Sequence, residues 1–489
     1  MPAPKTTYGP LERRLADEQQ TFARPLRSLV QRAAVTCKPQ HTLTEVAALM
    51  RSQGVGSVVV IDAQARPVGI VTSHDMIRVA AEGGGGRPVA EIMSGGPVSL
   101  PAHALAYEAA LTMTARRIRH ILVMDEGSLI GVVSERDLFS LQRLGLGEIT
   151  MELRLASDLK VLGALAAEIR RLTARLVEQG VAPEQLTLFV SVLNDRLSQR
   201  VIELVRKHHD LERISWCWLA FGSEGRFEQT LATDQDNGLV FAAHEGAAPA
   251  QVRARMLPFA RAVNEALDAS GFPLCKGNVM ASNPALCLSS AEWQARMGGW
   301  IEVSTPKALL DAAICFDFRA LYGDASLVVS LREWVSARIK VQPAFLRRMA
   351  EAALQARPGL NRLGGFATED APGASDSIDL KLQGARIFVD AARIYALACG
   401  APQTNTADRL RAARGALGMN DSDAAAAVEA FFVVQRLRLQ NQVSQGENAA
   451  GAANRVAPGN LSRIEQAALK EALRTAKELQ SRLALDYQL

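Results

Sequence analysis

Long apolar runs are missing from this sequence, and their absence limits where the protein can act. The chain has 489 residues, 48% of them hydrophobic, but no stretch approaches the roughly 18 consecutive apolar residues of a membrane-spanning helix. The N-terminal residues MPAPKTTYGPLERRLADEQQ also lack the apolar core of a secretory signal. We therefore expect a soluble, cytoplasmic chain, whose length suggests roughly three domains.

Paired cysteines and clustered histidines are also scarce, which argues against disulfide-stapled folds and structural zinc sites. The six cysteines are scattered with no C-x-x-C pair, and only His208 and His209 are adjacent among the seven histidines. The charges nearly balance, because 55 basic residues against 51 acidic ones leave a net charge of +4. A nucleic acid is therefore not expected as the main partner, since proteins that bind one usually carry a concentrated basic face.

What the sequence does contain is a repeat near its N-terminus. The segment PQHTLTEVAALMRSQGVGSVVVIDAQARPVGIVTSHDMIRVA is followed, 62 to 63 residues later, by PAHALAYEAALTMTARRIRHILVMDEGSLIGVVSERDLFSLQ. In each copy, apolar residues at helical spacing predict a first helix, and a run of β-branched and aliphatic residues predicts a strand. A turn, a second short strand and another helix should follow. Thr42 and Glu45 predict a capping box at the first helix. One copy is too small for a stable core, so the two should pack together.

A second motif, FGSEGRFEQTLATDQDNGLVF, lies between two runs that read as buried strands, SWCWLAF and NGLVFAA. Asp234 and Asp236 enter the second strand at positions i and i+2, so both carboxylates should point to one face. Two crowded carboxylates are costly unless a cation joins them, and Mg²⁺ prefers oxygen ligands together with substrate phosphates. The motif therefore predicts a phosphoryl-transfer site, and the alternative is a solvated polar turn.

The turn of this motif carries groups suited to a polyphosphate. Gly222 and Gly225 would let the backbone approach a triphosphate, Ser223 can donate a hydrogen bond, and Arg226 offers positive charge at the same place. Glu228 is expected to brace the loop through Arg226. These residues would bind the substrate while metal ions hold the nucleophile and the leaving group.

The motifs GIVTSHD and GVVSERD, one in each repeat, resemble those of a tandem pair of CBS domains. That resemblance implies a βαββα fold for each copy and an adenine nucleotide (AMP, ADP or ATP) in the cleft between them. It implies regulatory nucleotide contacts by Thr72 with Asp75 and by Ser134 with Asp137. The alternative is that these residues only cap helices. The resemblance also implies a homodimer formed through the CBS domains.

The arrangement G-S-x-G-R-x-E followed by D-x-D resembles the polymerase-β-type nucleotidyltransferase superfamily. It is similar to the bacterial enzymes that uridylylate the PII signal protein or adenylylate glutamine synthetase, and closer still to the bacterial family that joins CBS domains to a nucleotidyltransferase domain. The resemblance implies Mg²⁺-dependent transfer of a nucleoside monophosphate from an NTP, UTP or ATP, to a protein or small-molecule acceptor. The alternative is a non-catalytic, nucleotide-sensing signal-transduction protein that uses the fold as a binding platform.

Further site residues follow from the same resemblance. The superfamily carries a third metal-binding carboxylate in a D-x-R motif, which ICFDFRALYGD matches with Asp317 and Arg319. Asp234, Asp236 and Asp317 are thus the expected catalytic metal ligands, and a structural Asp317–Arg319 pair is the alternative. In the helical region that follows, the resemblance implies a phosphate contact by Lys381.

Together these patterns predict an α+β multidomain chain with a tandem CBS pair, a polymerase-β-like mixed sheet and a C-terminal helical bundle. The expected parts are an N-terminal segment, the CBS pair, a helical linker, the catalytic domain and a helical substrate-binding-like domain, at residues 1–24, 25–145, 146–210, 211–335 and 336–489. The resemblance to the CBS-linked family also implies that the segment GFPLCKGNVMASNP lies beside the active site. There Lys276 and Asn278 could reach nucleotide or acceptor, unless the segment is only a structural loop.

Overall fold

The computed structural model divides into two compact units. The first unit ends at Glu148 and the second runs from Ile149 to Leu489. The structure describes residues 25–30, 32–72, 75–76, 86–116, 118–135, 137–138, 146–242, 248–361, 364–371, 374–414, 419–446 and 453–489. The predicted N-terminal segment 1–24 lies outside them. Because the second unit begins at Ile149, the helices expected as a linker belong to it, whereas the finer domain boundaries stay a prediction.

Each repeat of the first unit forms the expected succession of strand, helix, strand and strand. The elements are β1 (Thr36–Cys37), α1 (Leu43–Gln53), β2 (Ser57–Ile61), β3 (Pro67–Thr72) and β4 (Ser94–Gly95), then β5 (Ser99–Pro101), α2 (Ala106–Arg116), β6 (His120–Asp125) and β7 (Ser128–Ser134). In both sheets a parallel pair, β1 with β2 or β5 with β6, is followed by an antiparallel hairpin. At the start of α1, Thr42 and Glu45 form the predicted capping box.

The β-branched and aliphatic runs supply a separate core for each repeat. Val58 and Val60 of β2 are buried in one core, and Ile121 and Val123 of β6 are buried in the other. A short 3₁₀ helix, Leu26–Leu29, precedes the first repeat in the chain but buries its leucines in the core of the second. Part of the second core is therefore supplied from the N-terminal side of the first repeat.

A four-stranded mixed sheet forms the centre of the second unit. The elements up to this region are α3 (Leu146–Leu155), α4 (Leu159–Glu178), α5 (Pro183–Arg206), β8 (Trp216–Ala220), α6 (Gly222–Gly225), β9 (Asn237–Phe241), α7 (Pro249–Ala269), β10 (Cys287–Ser289), α8 (Ser290–Val303), α9 (Pro306–Cys315), β11 (Arg319–Gly323) and α10 (Ala325–Lys340). The strand order is β10-β9-β8-β11, with β9 and β10 parallel and the other pairs antiparallel. All residues of β8 and β9 are buried, as their apolar runs predict.

The remainder of the second unit is mainly helical and shares one core with the sheet. Its elements are α11 (Pro343–Ala353), β12 (Glu369–Ala371), β13 (Ala374–Asp379), a π-helix (Lys381–Ala385), α12 (Arg386–Cys399), α13 (Thr406–Ala412), α14 (Asp421–Gln445), β14 (Arg455–Val456) and α15 (Arg463–Asp486). The α+β architecture with a helical C-terminal region is therefore confirmed, and the small sheet β12-β13-β14 adds to it. Within the described ranges, no helix has both the length and the apolar character needed to cross a membrane.

Candidate active site

The loop between β8 and β9 contains two glycines that are in such close contact with other residues that a side chain would not fit. Gly222 has a φ of +53°, and a Cβ there would lie 2.7 Å from Oδ2 of Asp236. A Cβ on Gly225 would lie 1.8 Å from the carbonyl oxygen of Asp317. The amide of Phe221 also donates to the carbonyl of Asp236 at 2.9 Å. Both glycines are therefore required by close packing, and their approach to a triphosphate stays a prediction.

Asp234 and Asp236 lie just before the start of β9, with Asp234 exposed and Asp236 half-buried. The residues that alternate with them, Gln235 and Asn237, are buried and join an amide network. In that network Asn264 of α7 donates to Gln235 Oε1 at 2.7 Å and to Asn237 Oδ1 at 3.0 Å. Because side chains alternate along an extended chain, tying the two amides inward directs the two carboxylates to the opposite face.

The environment of Asp236 disfavours its charge in the absence of a cation. Burial, followed by the negative charge of Asp234, raises the pKa of Asp236 to about 6, against the hydrogen bond from Cys275 and the charges of Lys381 and Arg226. The Cys275 thiol donates to Asp236 Oδ1 at 3.3 Å. The fold thus brings Lys381 within electrostatic range of the carboxylate pair, and a divalent cation at this place would relieve the repulsion between the aspartates.

Asp317 is in a different environment from the one expected. Its carboxylate is fully buried and accepts from Arg226 at 2.7 Å, from Arg393 at 2.9 and 2.7 Å, and from Arg409 at 2.6 Å. Burial alone would raise the pKa of Asp317, but Arg393, Arg409 and Arg226 together hold it well below its usual range. Because guanidinium groups occupy both oxygens, the third metal ligand expected from the sequence is not available in this arrangement.

Arg319, expected as the structural partner of Asp317, binds elsewhere. Its Nη2 donates to Asp195 Oδ1 of α5 at 2.6 Å, and Nε and Nη2 donate to the carbonyl of Glu224 at 3.1 and 2.9 Å. Its guanidinium also lies 3.8 Å from the ring centroid of Phe227. The alternative expectation of an Asp317–Arg319 pair is therefore wrong, because each member of the D-x-R motif binds a separate set of partners.

Arg226 is directed toward protein carboxylates and not toward the solvent. Its Nε donates to Glu228 Oε2 at 2.7 Å, which is the contact expected between these residues, and its side chain is only 12% exposed. The other oxygen of Glu228 accepts from the amide of Thr406 at 2.6 Å, and Asn405 donates to the carbonyl of Arg226 at 3.1 Å. The loop is thus attached to the start of α13, and direct phosphate contacts by Arg226 and Glu228 stay predictions that their present contacts do not favour.

The segment expected beside the active site does run along the acidic motif. The amide of Gln235 donates to the carbonyl of Pro273 at 3.1 Å, and the amide of Asn237 donates to that of Val279 at 3.0 Å. Lys276 and Asn278 are exposed on this segment. Their contact with nucleotide or acceptor stays a prediction, as does that of the half-buried Ser223.

Several residues that build the site carried little signal in the sequence. Glu224 is buried, and burial followed by the charge of Asp195 raises its pKa to about 8. Arg393 lies in helix α12, where a charged residue inside the mainly apolar run IFVDAARIYALACG is a hint of a buried ion pair. Asn264 lies 29 and 27 residues from Gln235 and Asn237, and Arg409 lies 92 residues from Asp317, so their roles depend on the tertiary fold.

In the first unit, a cavity of about 550 Å³ contains three of the four expected nucleotide contacts, Thr72, Ser134 and Asp137, among its lining residues. Ser134 Oγ donates to Asp137 Oδ2 at 2.5 Å, and Thr72 Oγ1 donates to Asp75 Oδ2 at 2.7 Å. His120 also lines this cavity, and burial lowers its pKa. Each hydroxyl is thus hydrogen-bonded to the aspartate three residues later, and nucleotide contacts by these residues stay a prediction.

Three family models match successive parts of the chain. The model "CBS domain" matches residues 26–82 and 89–143. "Putative nucleotidyltransferase DUF294" matches residues 167–307, and "Putative nucleotidyltransferase substrate binding domain" matches residues 343–487. The second model includes Asp234 and Asp236, whereas Asp317 lies between the second and third. The expected combination of a CBS pair with these two domains is confirmed.

Individual relatives match shorter stretches. The chain is 30% identical over 130 residues to an uncharacterized protein of Methanopyrus kandleri, covering 26% of this chain and 66% of that one. It is 34% identical over 102 residues to an uncharacterized 17.7 kDa protein of Acidianus ambivalens, covering 21% and 62%. It thus spans less than two thirds of the length of both. A solved CBS domain protein of Pyrobaculum aerophilum, complexed with AMP, is 29% identical, with 26% of this chain and 97% of that one covered at a TM-score of 0.24.

Proposed function

This chain belongs to the family in which a CBS pair precedes a nucleotidyltransferase domain and its substrate-binding domain, and on that premise we propose that it transfers a nucleoside monophosphate from an NTP to an acceptor. The observation that carries the proposal is the placement of Asp236, half-buried against Gly222 and next to the exposed Asp234. An oxygen of the acceptor would bond to the α-phosphorus as the α–β phosphoanhydride bond breaks. Pyrophosphate leaves, and the acceptor loses a proton.

The donor set at this place fits Mg²⁺, because both side chains are carboxylates and hard cations prefer oxygen ligands completed by substrate phosphates. Asp234 and Asp236 would hold the ion, which when bound neutralises charge on the phosphate oxygens. Lys381 and Ser223 would bind the polyphosphate, while Gly222 and neighbouring residues shape its cradle. We assign Asp317, with Arg226 and Glu228, to holding this loop in place and not to metal binding.

The proposal is tested by incubating the full chain with Mg²⁺ and each α-³²P-labelled NTP, UTP and ATP first, in the presence of cell extract. Wild type should label an acceptor and release pyrophosphate, and Asp236→Asn should lower transfer at least about 100-fold because it removes a metal ligand. Glu265→Gln, an exposed carboxylate on α7 in the same domain, is the matched control and should retain activity. Equal activity in Asp236→Asn and the control would exclude this site.

We further propose that an adenine nucleotide in the CBS cavity regulates this transfer, and that the chain acts as a homodimer. The cavity of about 550 Å³ with Thr72, Ser134 and Asp137 at its wall supports the nucleotide. Calorimetry with AMP, ADP and ATP should detect binding to wild type and weaker binding to Asp137→Ala, and light scattering should give twice the chain mass. A nucleotide affinity of Asp137→Ala equal to that of wild type would exclude this cavity as the binding site, and the mass of a single chain would exclude the dimer.

A non-catalytic nucleotide sensor is the second candidate, and one observation favours it. With both oxygens of Asp317 taken by arginines, two carboxylates remain where the superfamily is expected to use three. This candidate predicts tight, Mg²⁺-dependent binding of a non-hydrolysable NTP without release of pyrophosphate from any natural NTP. Transfer of label to any acceptor by wild type, lost in Asp236→Asn, would decide against it.

A further inference from the structure

Resting on the proposed function, we infer that Arg319 is a positioning residue that holds the nucleotide-binding loop against the metal-binding carboxylate of Asp236. Arg319 lies at the first position of β11 and touches neither aspartate of the D-x-D motif in the contacts described above. Its guanidinium joins three partners, which are the carboxylate of Asp195, the carbonyl of Glu224 and the ring of Phe227. Two of these, Glu224 and Phe227, belong to the loop, and Asp195 belongs to helix α5.

A short, continuous path leads from this contact to Asp236. Helix α6 has only four residues, Gly222–Gly225, so the carbonyl of Glu224 that Arg319 binds is two residues from Gly222. Gly222 packs so closely on Asp236 that a Cβ would lie 2.7 Å from Oδ2, and the amide of Phe221 donates to the Asp236 carbonyl. A shift of the loop at Glu224 would therefore change the space in which the Asp236 carboxylate sits.

The geometry requires a guanidinium and not only a positive charge. The planar guanidinium of arginine can donate hydrogen bonds in two directions while its face stacks on an aromatic ring, whereas the ammonium of lysine is a compact point charge. Lysine at position 319 could pair with Asp195 or reach the Glu224 carbonyl, but it could not hold both while it covers Phe227. Phe227 has a φ of +57°, a conformation that non-glycine residues seldom adopt without support from their surroundings. Arg319 therefore supports the strained end of the loop.

Arg319→Lys tests this role, and Arg253→Lys is its matched control. Arg253 likewise joins a carbonyl, that of Cys287 on β10 at 2.8 Å, to a carboxylate, that of Glu292, but at the opposite edge of the same sheet. Binding of Mn²⁺ with a non-hydrolysable NTP is followed by electron paramagnetic resonance, and turnover by kcat and KM separately. We expect Arg319→Lys to bind Mn²⁺ about tenfold more weakly and to lose about 100-fold in kcat, as misplacement of reacting groups by about 1 Å does, while Arg253→Lys matches wild type.

Hydrogen exchange of residues 219–230 supplies a readout that does not depend on activity. Exchange there should be at least about tenfold faster in Arg319→Lys than in Arg253→Lys, since the loop loses its anchor. If Arg319→Lys does not fold, Phe227→Leu takes its place, because it removes only the stacked ring. Its hydrogen exchange at residues 219–230 should also be faster than in Arg253→Lys, but by a smaller factor. Mn²⁺ affinity and loop exchange equal to those of the control would overturn the inference. Wild type that binds no Mn²⁺–nucleotide would instead overturn the proposed function, and the exchange comparison would still decide about Arg319.

Discussion

Replacing Asp317 by asparagine separates the two roles that this residue can have. The substitution keeps the shape of the side chain but leaves Arg226, Arg393 and Arg409 facing a neutral amide in a place with no solvent access. Arg226 still pairs with Glu228 and Arg393 with Asp390, whereas Asp317 is the carboxylate that Arg409 binds. Breaking a buried ion pair in this way costs roughly 3–5 kcal/mol, because the buried charge of Arg409 remains without compensation. If Asp317 were a metal ligand, Asp317→Asn would cost little stability in the absence of the metal, since it would remove one charge from a cluster of carboxylates.

The measurement is urea unfolding of Asp317→Asn followed by tryptophan fluorescence in EDTA. All five tryptophans lie in the second unit, at positions 216, 218, 293, 300 and 334, so the signal reports on the unit that contains the cluster. We expect the free energy of unfolding to fall by roughly 3–5 kcal/mol. Asp234→Asn, which changes an exposed aspartate, is the control and should stay within about 0.5 kcal/mol of wild type. A change of less than about 1 kcal/mol in Asp317→Asn would refute the structural role.

Three further predictions follow from the loop and the acidic motif. Gly222→Ala should destabilise the fold by about 1–3 kcal/mol, because Gly222 has a positive φ and is in close contact with Asp236. The same variant should lose Mn²⁺ binding, measured by calorimetry. An Mn²⁺ affinity close to that of wild type would contradict the packing argument. Asn264→Ala should cost about 1–3 kcal/mol in urea unfolding, because the buried Gln235 Oε1 loses its donor and Asn237 Oδ1 loses one of its two donors, whereas Glu265→Ala beside it, on the exposed face, should cost much less. Because the folded-state pKa of Asp236 is raised to about 6 from a usual value of 3.8, its protonated form favours the fold below about pH 4, and this contribution is lost as the pH rises through about 6. In EDTA, wild type should therefore lose stability relative to Asp236→Asn between pH 4 and 7, and parallel pH profiles would count against the shift.

Local sequence patterns were sufficient where neighbouring residues determine the structure. Short continuous apolar runs predicted β2, β6, β8 and β9, because strands buried on both sides need apolar residues at successive positions. The capping box of Thr42 and Glu45 and the shared face of Asp234 and Asp236 depend on spacings of two or three residues. The resemblance of the motifs to known families added the order of the domains, which the family models bear out.

The sequence by itself thus determined where the main strands and the acidic motif lie, because both follow from periodicity and short-range spacing, and its resemblance to known families supplied the domain architecture. Only the tertiary structure decided how the D-x-R motif is used. Asp317 receives its partners from residues more than 70 positions away in the sequence, and Arg319 binds the carbonyl of Glu224, 95 residues earlier. A carboxylate and a guanidinium can each pair with many groups, so their roles depend on which charges the fold brings within hydrogen-bonding distance, and no local pattern carries that information.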